Sequence, residues 1–161
     1  MYERILVAVD GSPTSDRGLS EAIRLAKLTG ARLRLVNVVD DMGVISGMGE
    51  YGAACMGGLL EGMKEAGTQV LEDARATATR QGVGAETVLF DGLSGRVSDL
   101  IVAEAKRWGA DLIVLGTHGR RGVRRMVLGS DAEQIVRAAP VPVLLVRSME
   151  LEATPEKQPA P

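Results

Sequence analysis

The feature that most constrains the fold of this chain is a regular alternation between short apolar runs and segments of helical periodicity. The apolar runs at residues 5–9, 33–39, 112–115 and 141–146 are too short for helices and too continuous for strands with one wet face. They are typical of strands buried on both faces of a parallel sheet. A weaker run at residues 86–90 is a fifth candidate strand. The alternation therefore indicates an α/β protein.

Between these runs, apolar residues recur with the period of an amphipathic helix. Four helices are indicated by the stripes Leu19, Ala22, Ile23 and Ala26; Leu60, Met63, Ala66, Val70, Ala74 and Thr77; Val97, Leu100, Ile101, Ala105 and Trp108; and Ala132, Ile135, Val136 and Ala139. Ser12 and Pro13 have the order of a helix cap and a first helical residue, and Gly30 and Gly109 stand where helices end. The order of elements predicts a doubly wound, parallel, five-stranded sheet with helices on both faces.

Composition limits the function. A chain of 161 residues, 45% of them apolar, is long enough for one globular domain, and its net charge of −2 provides no general attraction for nucleic acid or anionic membranes. No basic leader precedes the first apolar run, which ends at Asp10, so we expect neither a signal peptide nor a membrane span, and a cytoplasmic location. Cys55 is the single cysteine and His118 the single histidine, which excludes an intramolecular disulfide and a His/Cys metal site.

In doubly wound sheets, ligands bind beyond the carboxyl ends of the strands, near the point where the strand order reverses. Here those ends fall at Asp10, Asp40, Asp91 and Gly116. The last of them opens a loop with four glycines, the basic residues Arg120, Arg121, Arg124 and Arg125, and no acid between Thr117 and Ser130. Glycines let backbone N–H groups approach an anion, and the helix predicted to begin after the loop adds further donors, so the loop favours a phosphate ligand. The alternative is a solvated surface loop with no ligand.

Other signals are set aside on geometric grounds. Residues 47–52 match the spacing of a dinucleotide fingerprint, but they neither follow a strand directly nor open a helix. Methionines and glycines in the same region indicate a flexible lid or contact surface, or disorder without function. His118 has no evident partner or nucleophile for general-base catalysis, so phosphate or ribose hydrogen bonding is the preferred interpretation, with plain solvent exposure as the alternative. Aromatic residues make up only 2% of the chain, which disfavours nucleic acid binding.

The spacing Gly116-x2-Gly119-x9-Gly129-Ser130 resembles the ATP-binding signature of the universal stress protein family, G-x2-G-x9-G-[S/T]. The resemblance extends from the first apolar run to the last and implies a single domain over residues 1–147, with a Rossmann-like fold of the adenine nucleotide alpha-hydrolase-like class. A loop at about residues 41–59 and a tail at residues 148–161 have no counterpart. We expect the tail, with its three prolines and three glutamates, to be disordered.

Carried over residue by residue, the resemblance implies a nucleotide site at the positions Ala8, Val9, Asp10, Val38, Leu115, Gly116, His118, Gly119, Arg120, Gly129, Ser130 and Asp131. Val38 would bind adenine through its backbone, and Gly116, Gly119 and Arg120 would shape the cradle for ribose and phosphate. Gly129 and Ser130 would offer backbone and hydroxyl donors to the phosphates. Asp10 would face the phosphates or a bound Mg²⁺, or would instead cap the first helix.

The family also forms dimers through its last strand, which here would comprise Val141, Val143, Leu144, Leu145 and Val146. A long apolar strand at a sheet edge invites pairing with another chain, which is an independent reason to expect a homodimer. The alternative is an ordinary edge strand that the tail shields.

The preferred hypothesis is an ATP-binding, homodimeric stress-response protein in which the nucleotide acts as a switch for a protein partner that the sequence does not identify. Hydrolysis would be slow or absent, because no evident group orients a nucleophile for phosphoryl transfer. Two alternatives remain: a nucleotide-free dimeric adaptor and an ATP-using enzyme of the same superfamily. The intact glycine spacing argues against the adaptor.

Overall fold

The computed structural model describes residues 1–39, 53–91, 95–117 and 128–147. The strands are β1 (Arg4–Ala8), β2 (Arg32–Val38), β3 (Ala85–Phe90), β4 (Leu112–Gly116) and β5 (Val143–Val146). The helices are α1 (Pro13–Thr29), α2 (Ala53–Arg80), α3 (Val97–Trp108) and α4 (Ser130–Ala138). The predicted alternation of strands and helices is confirmed.

All strand pairs of the sheet are parallel, and the strand order is β3-β2-β1-β4-β5. The chain winds outward from β1 to β3 and then returns to the other side of β1, so the order reverses between β1 and β4. The predicted fold class, a doubly wound parallel sheet of five strands, is therefore confirmed. β5 lies at one edge of the sheet and β3 at the other.

Both faces of the sheet are covered, because side chains along the central strands alternate between two cores. One core contains Ile5 and Leu33 with α1 and α2, and the other contains Leu6 and Val36 with α3 and α4. The central runs are continuously apolar for this reason. Ser12 Oγ caps α1 by accepting a hydrogen bond from Ser15 N at 3.2 Å, as its position before a proline predicts.

Three details of the helices differ from the expectations. α2 begins at Ala53, within the segment assigned to a loop, so that assignment is wrong for residues 53–59. The predicted stripe places Ala66 on the buried side of α2, but Ala66 is exposed, and Gly67 and Ala78 are buried. Glycine has no apolar side chain, so the apolar pattern does not reveal that Gly67 lies against the sheet. Val136 of α4 is 44% exposed rather than part of the core. No helix in the described ranges is long and apolar enough to cross a membrane.

The amino-terminal end of the sheet is held by charged side chains that the apolar pattern does not reveal. Glu104 of α3, with a side chain only 1% exposed, accepts from Arg34 of β2 and from Arg107, each at 2.7 Å. Arg34 also pairs with Glu86 of β3, and its guanidinium lies 4.7 Å from the centre of the Trp108 ring. The hydrogen bond from Arg34 lowers the pKa of the Glu86 carboxyl. These contacts tie α3 to two strands.

Candidate functional site

The strand ends separate where the strand order reverses. Paired residues of β1 and β4 end at Val7 and Val114. Beyond this point β1 continues towards β2, with Val9 N donating to Val36 O at 2.8 Å. β4 continues towards β5, with Thr117 N donating to Val146 O at 2.9 Å. The pairing of β1 with β4 thus ends here, while each strand stays bonded to its other neighbour. We call this switch point the β1–β4 crevice. Such a crevice is the usual ligand site of doubly wound sheets.

On the β1 side, the crevice is bordered by the predicted site residues Ala8, Val9 and Asp10. The Asp10 carboxylate accepts from Ser12 N at 2.9 Å, and Asp10 N donates to Ser15 Oγ at 3.1 Å. These bonds turn the chain from β1 into α1. Ser12 rather than Asp10 caps the helix, so the alternative role considered for Asp10 belongs to its neighbour.

On the β4 side, Gly116 allows α1 to approach the sheet closely. A Cβ atom at Gly116 would lie 2.9 Å from the carbonyl carbon of Thr14 and 3.1 Å from Ser15 N. Both are backbone atoms, so any side chain would displace the first turn of α1. Leu115 is buried beside it, as expected of a central strand. Gly116 therefore has a packing requirement that is independent of any ligand, in addition to the site role predicted for it.

The start of α4 is bonded to the end of β4. Gly129 N donates to Thr117 O at 3.0 Å, and Gly129 has an extended backbone with φ −60° and ψ 147° as the cap of α4. This bond joins the two ends of the loop rich in glycine and arginine. The predicted ligand residues His118, Gly119 and Arg120 belong to residues 118–127 and lie outside the described residues.

The bond from Gly129 refines the role expected of this residue. Its N–H is engaged within the protein, so Ser130, exposed in the first turn of α4, becomes the nearer source of donors for an anion. Asp131 and Glu133 also lie in that turn, and Glu133 pairs with Arg137 at 2.8 Å. Both carboxylates lie at the amino-terminal end of the helix, where the helix dipole favours negative charge.

The end of β2 contains a residue that the sequence analysis did not single out. Asn37 is 5% exposed, and its Nδ2 donates to Val9 O at 2.7 Å. A polar residue inside an apolar run is the signal that could have identified it. Val38, the position expected to bind adenine, follows directly and is half-buried on the strand next to β1.

The remaining strand ends contribute fewer groups to the candidate site. Asp91, after β3, pairs with Lys64 of α2 at 2.8 Å, and this hydrogen bond lowers the pKa of Asp91 and raises that of Lys64. β2 separates this pair from the crevice. Asp40 lies outside the described residues. Within the described ranges, no three His, Cys, Asp or Glu side chains are grouped as a metal site, so a Mg²⁺ ion at Asp10 would need oxygens from a ligand.

The structure thus brings the described site residues to the carboxyl end of the sheet. They come from three neighbouring strands and the start of one helix: Ala8, Val9 and Asp10 from β1 and its end, Val38 from β2, Leu115 and Gly116 from β4, and Gly129, Ser130 and Asp131 at the start of α4. This end of the sheet offers backbone groups, hydroxyls and the carboxylates of Asp10 and Asp131. Such groups suit a ligand with phosphate oxygens and hydrogen-bonding ring atoms.

Similar sequences identify the group to which this chain is related. The sequence profile of the universal stress protein family matches residues 1–147. The chain is 32% identical over 151 residues to universal stress protein YxiE of Bacillus subtilis, a match that covers 91% of this chain and 100% of that protein.

Solved structures of universal stress proteins have folds similar to that of this chain. A protein of the universal stress protein family from Burkholderia pseudomallei is 35% identical, with a TM-score of 0.73 over 91% of this chain and 97% of that one. The universal stress protein from Archaeoglobus fulgidus in complex with dAMP is 24% identical, with a TM-score of 0.64 over 90% of this chain and 98% of that one. At that identity the likeness concerns the fold.

Proposed function

This chain belongs to the universal stress protein family, and we propose that it binds an adenine nucleotide, ATP in the first instance, in the β1–β4 crevice. The observation that carries the proposal is the bond between Thr117 and Gly129. It brings the start of α4 beside the end of β4, so helix N–H groups and the Ser130 hydroxyl would face a nucleotide bound in the crevice. The complex of a distant structural neighbour with dAMP supports the choice of an adenine nucleotide.

In the proposed complex, the base lies at the end of β2 and the phosphates lie at the start of α4. Val38 would bind adenine through its backbone, and Ser130 would donate to phosphate oxygens. His118, Gly119 and Arg120 keep their predicted roles beside ribose and phosphate. Asp10 would hold a Mg²⁺ ion together with phosphate oxygens, and the ion would reduce the repulsion between the phosphates and Asp131.

The nucleotide would act as a switch in a stress response, with slow or no hydrolysis. Efficient phosphoryl transfer needs a group that orients the attacking water. Asp10 already accepts a hydrogen bond from Ser12 N, and in the proposed complex the same carboxylate would be engaged by Mg²⁺. A cytoplasmic location and a protein partner that reads the nucleotide state complete the proposal.

The proposed homodimer pairs β5 with its copy. All four residues of β5 are half-buried, and the strand forms one edge of the sheet. Val136 of α4 adds exposed apolar surface. An apolar edge of this kind is stabilised when a second strand pairs with it. Sedimentation of the purified chain would test this, because a monomer at micromolar concentration would contradict the proposed dimer.

The decisive experiment identifies the ligand directly. The purified protein is denatured and the released small molecules are analysed by mass spectrometry, while a second sample is titrated with ATP and Mg²⁺ by calorimetry. We expect an adenine nucleotide in the first assay or saturable ATP binding in the second. If both are negative, the nucleotide-free adaptor replaces the proposal. Rapid multiple turnover of ATP would instead favour an enzyme of the same superfamily.

A further inference from the structure

The ladder between β1 and β2 ends with a hydrogen bond from a side chain to a backbone carbonyl. In a parallel ladder, Val9 would donate to Val36 O, and Val9 O would then accept from the N–H of Val38. The first bond is present, at 2.8 Å. The paired residues nevertheless end at Ala8 and Val36, and Val9 O accepts from Asn37 Nδ2 at 2.7 Å. A side-chain amide therefore occupies the carbonyl that the next backbone N–H would have used.

Resting on the nucleotide site proposed above, we infer that Asn37 is a positioning residue for the base: its amide satisfies Val9 O and thereby leaves the Val38 N–H available to an acceptor atom of adenine. Val9 O is a buried acceptor, so the amide nitrogen is the end of Asn37 that faces it. Removing that donor would leave Val38 N–H and Val9 O as the natural partners of each other. The strand ladder would then extend by one bond into the base site.

Helix α2 is shaped to accommodate this arrangement. A Cβ at Gly67 would lie 2.7 Å from Asn37 Oδ1 and 2.9 Å from a methyl group of Leu89. Gly67 therefore makes the space in which the Asn37 amide lies against the helix. With the amide confined between α2 and β1, its orientation is determined by packing as well as by the bond to Val9.

The inference is first tested on the unaltered protein without nucleotide. Amide hydrogen exchange followed by NMR compares Val38 with Val36, whose position lies within the β1–β2 ladder. We expect the Val38 amide to exchange at least about tenfold faster, because a lost hydrogen bond of about 1.4 kcal/mol has that effect. Equal protection of Val36 and Val38 would overturn the inference.

The second test uses Asn37→Leu, which keeps the branched shape and removes the donor. We expect protection of the Val38 amide to rise to that of Val36, and AMP affinity to fall at least about tenfold. Affinity for inorganic tripolyphosphate, a probe without a base, should stay unchanged. Leu33→Val is the matched control: it truncates a buried side chain of the same strand and should lower the melting temperature while leaving AMP affinity intact.

The two proposals fail in different ways. If the unaltered protein binds neither AMP nor ATP, the nucleotide function fails, while the exchange of Val38 still decides what Asn37 does to the ladder. If the unaltered protein binds AMP and Asn37→Leu binds it equally well, the positioning role fails and the nucleotide function stands. Should Asn37→Leu not fold, Asn37→Ser replaces it, with the same expected loss of AMP affinity and the same contradicting result.

Discussion

Polar groups at the two ends of the sheet have different kinds of hydrogen-bond partners. At the amino-terminal end, charged side chains satisfy one another: Arg34, Glu86 and Glu104 form a partly buried network. At the carboxyl ends of β1 and β4, backbone groups and hydroxyls take part in the contacts, as between Thr117 and Gly129, and the Lys64–Asp91 ion pair lies apart from them beside β3. A charge already balanced within the protein stabilises the fold, whereas backbone donors at a helix start can serve an anionic ligand. We therefore call the amino-terminal end of the sheet the structural end, and the carboxyl end, where the nucleotide is proposed to bind, the binding end.

The largest expected effect is a loss of unfolding free energy from a substitution at the structural end. Glu104→Ala leaves the guanidinium of Arg34 without its buried partner, and loss of one partner of a buried pair typically costs about 3–5 kcal/mol. Because Arg34 keeps Glu86, we expect a loss of unfolding free energy at the lower end, about 3 kcal/mol, measured by urea denaturation. Arg107→Ala is the matched control, since Arg107 is largely exposed and should cost less than about 1 kcal/mol. Equal losses for the two variants would contradict the distinction.

A smaller loss of stability is expected at the binding end from Gly116→Ala. The added Cβ would press on the backbone of Thr14 and Ser15, and overpacking of this kind costs about 1–3 kcal/mol. Displacement of the first turn of α1 also moves Asp10, so nucleotide affinity should fall together with the melting temperature. A variant with unchanged stability would show that the close approach of α1 is not required.

At the binding end, Gly129→Val should lower nucleotide affinity without a comparable effect on folding. A Cβ at Gly129 would lie 3.5 Å from Thr117 O, an ordinary contact, and its extended backbone suits any residue. We expect ATP affinity to fall at least about tenfold, or about 1.4 kcal/mol, as the side chain excludes the phosphates. The circular dichroism spectrum should not change. Calorimetric binding equal to that of the parent would show that the phosphates lie elsewhere.

The smallest effect concerns pH at the structural end. The hydrogen bond from Arg34 lowers the pKa of Glu86 in the folded state, so the pair adds stability above the ordinary range of a glutamate, about pH 4.3. This contribution is lost as the pH falls through the lower, folded-state pKa. The difference in melting temperature between the parent and Glu86→Gln should therefore shrink on acidification from pH 7. A difference that does not vary with pH would contradict the role of the pair.

Much of the fold could be predicted from the sequence because it depends on local patterns. Each of the strands lies within two residues of a predicted apolar run, and Ser12 caps α1 as its place before Pro13 indicates. The order of elements also predicted that the candidate site lies at the carboxyl end of the sheet, since the carboxyl ends of parallel strands lie together.

Other features could not be read from such patterns. Gly67 contributes no apolar side chain, yet a Cβ atom at this position would lie only 2.7 Å from Asn37 Oδ1. Arg34 and Glu104 are separated by 70 positions, and no local pattern relates them. Each of these residues is explained only by a neighbour that is distant in the sequence.

The sequence by itself therefore determined the element order, the two-sided burial of the central strands and the family, because these depend on periodicity and on spacing along the chain. Only the tertiary structure decided that β1 and β4 separate after Val7 and Val114, and that the Asn37 side chain replaces a ladder bond. The reason is physical: hydrogen-bond partners at a strand end are set by which strands are neighbours, and that arrangement emerges only when the whole sheet is assembled.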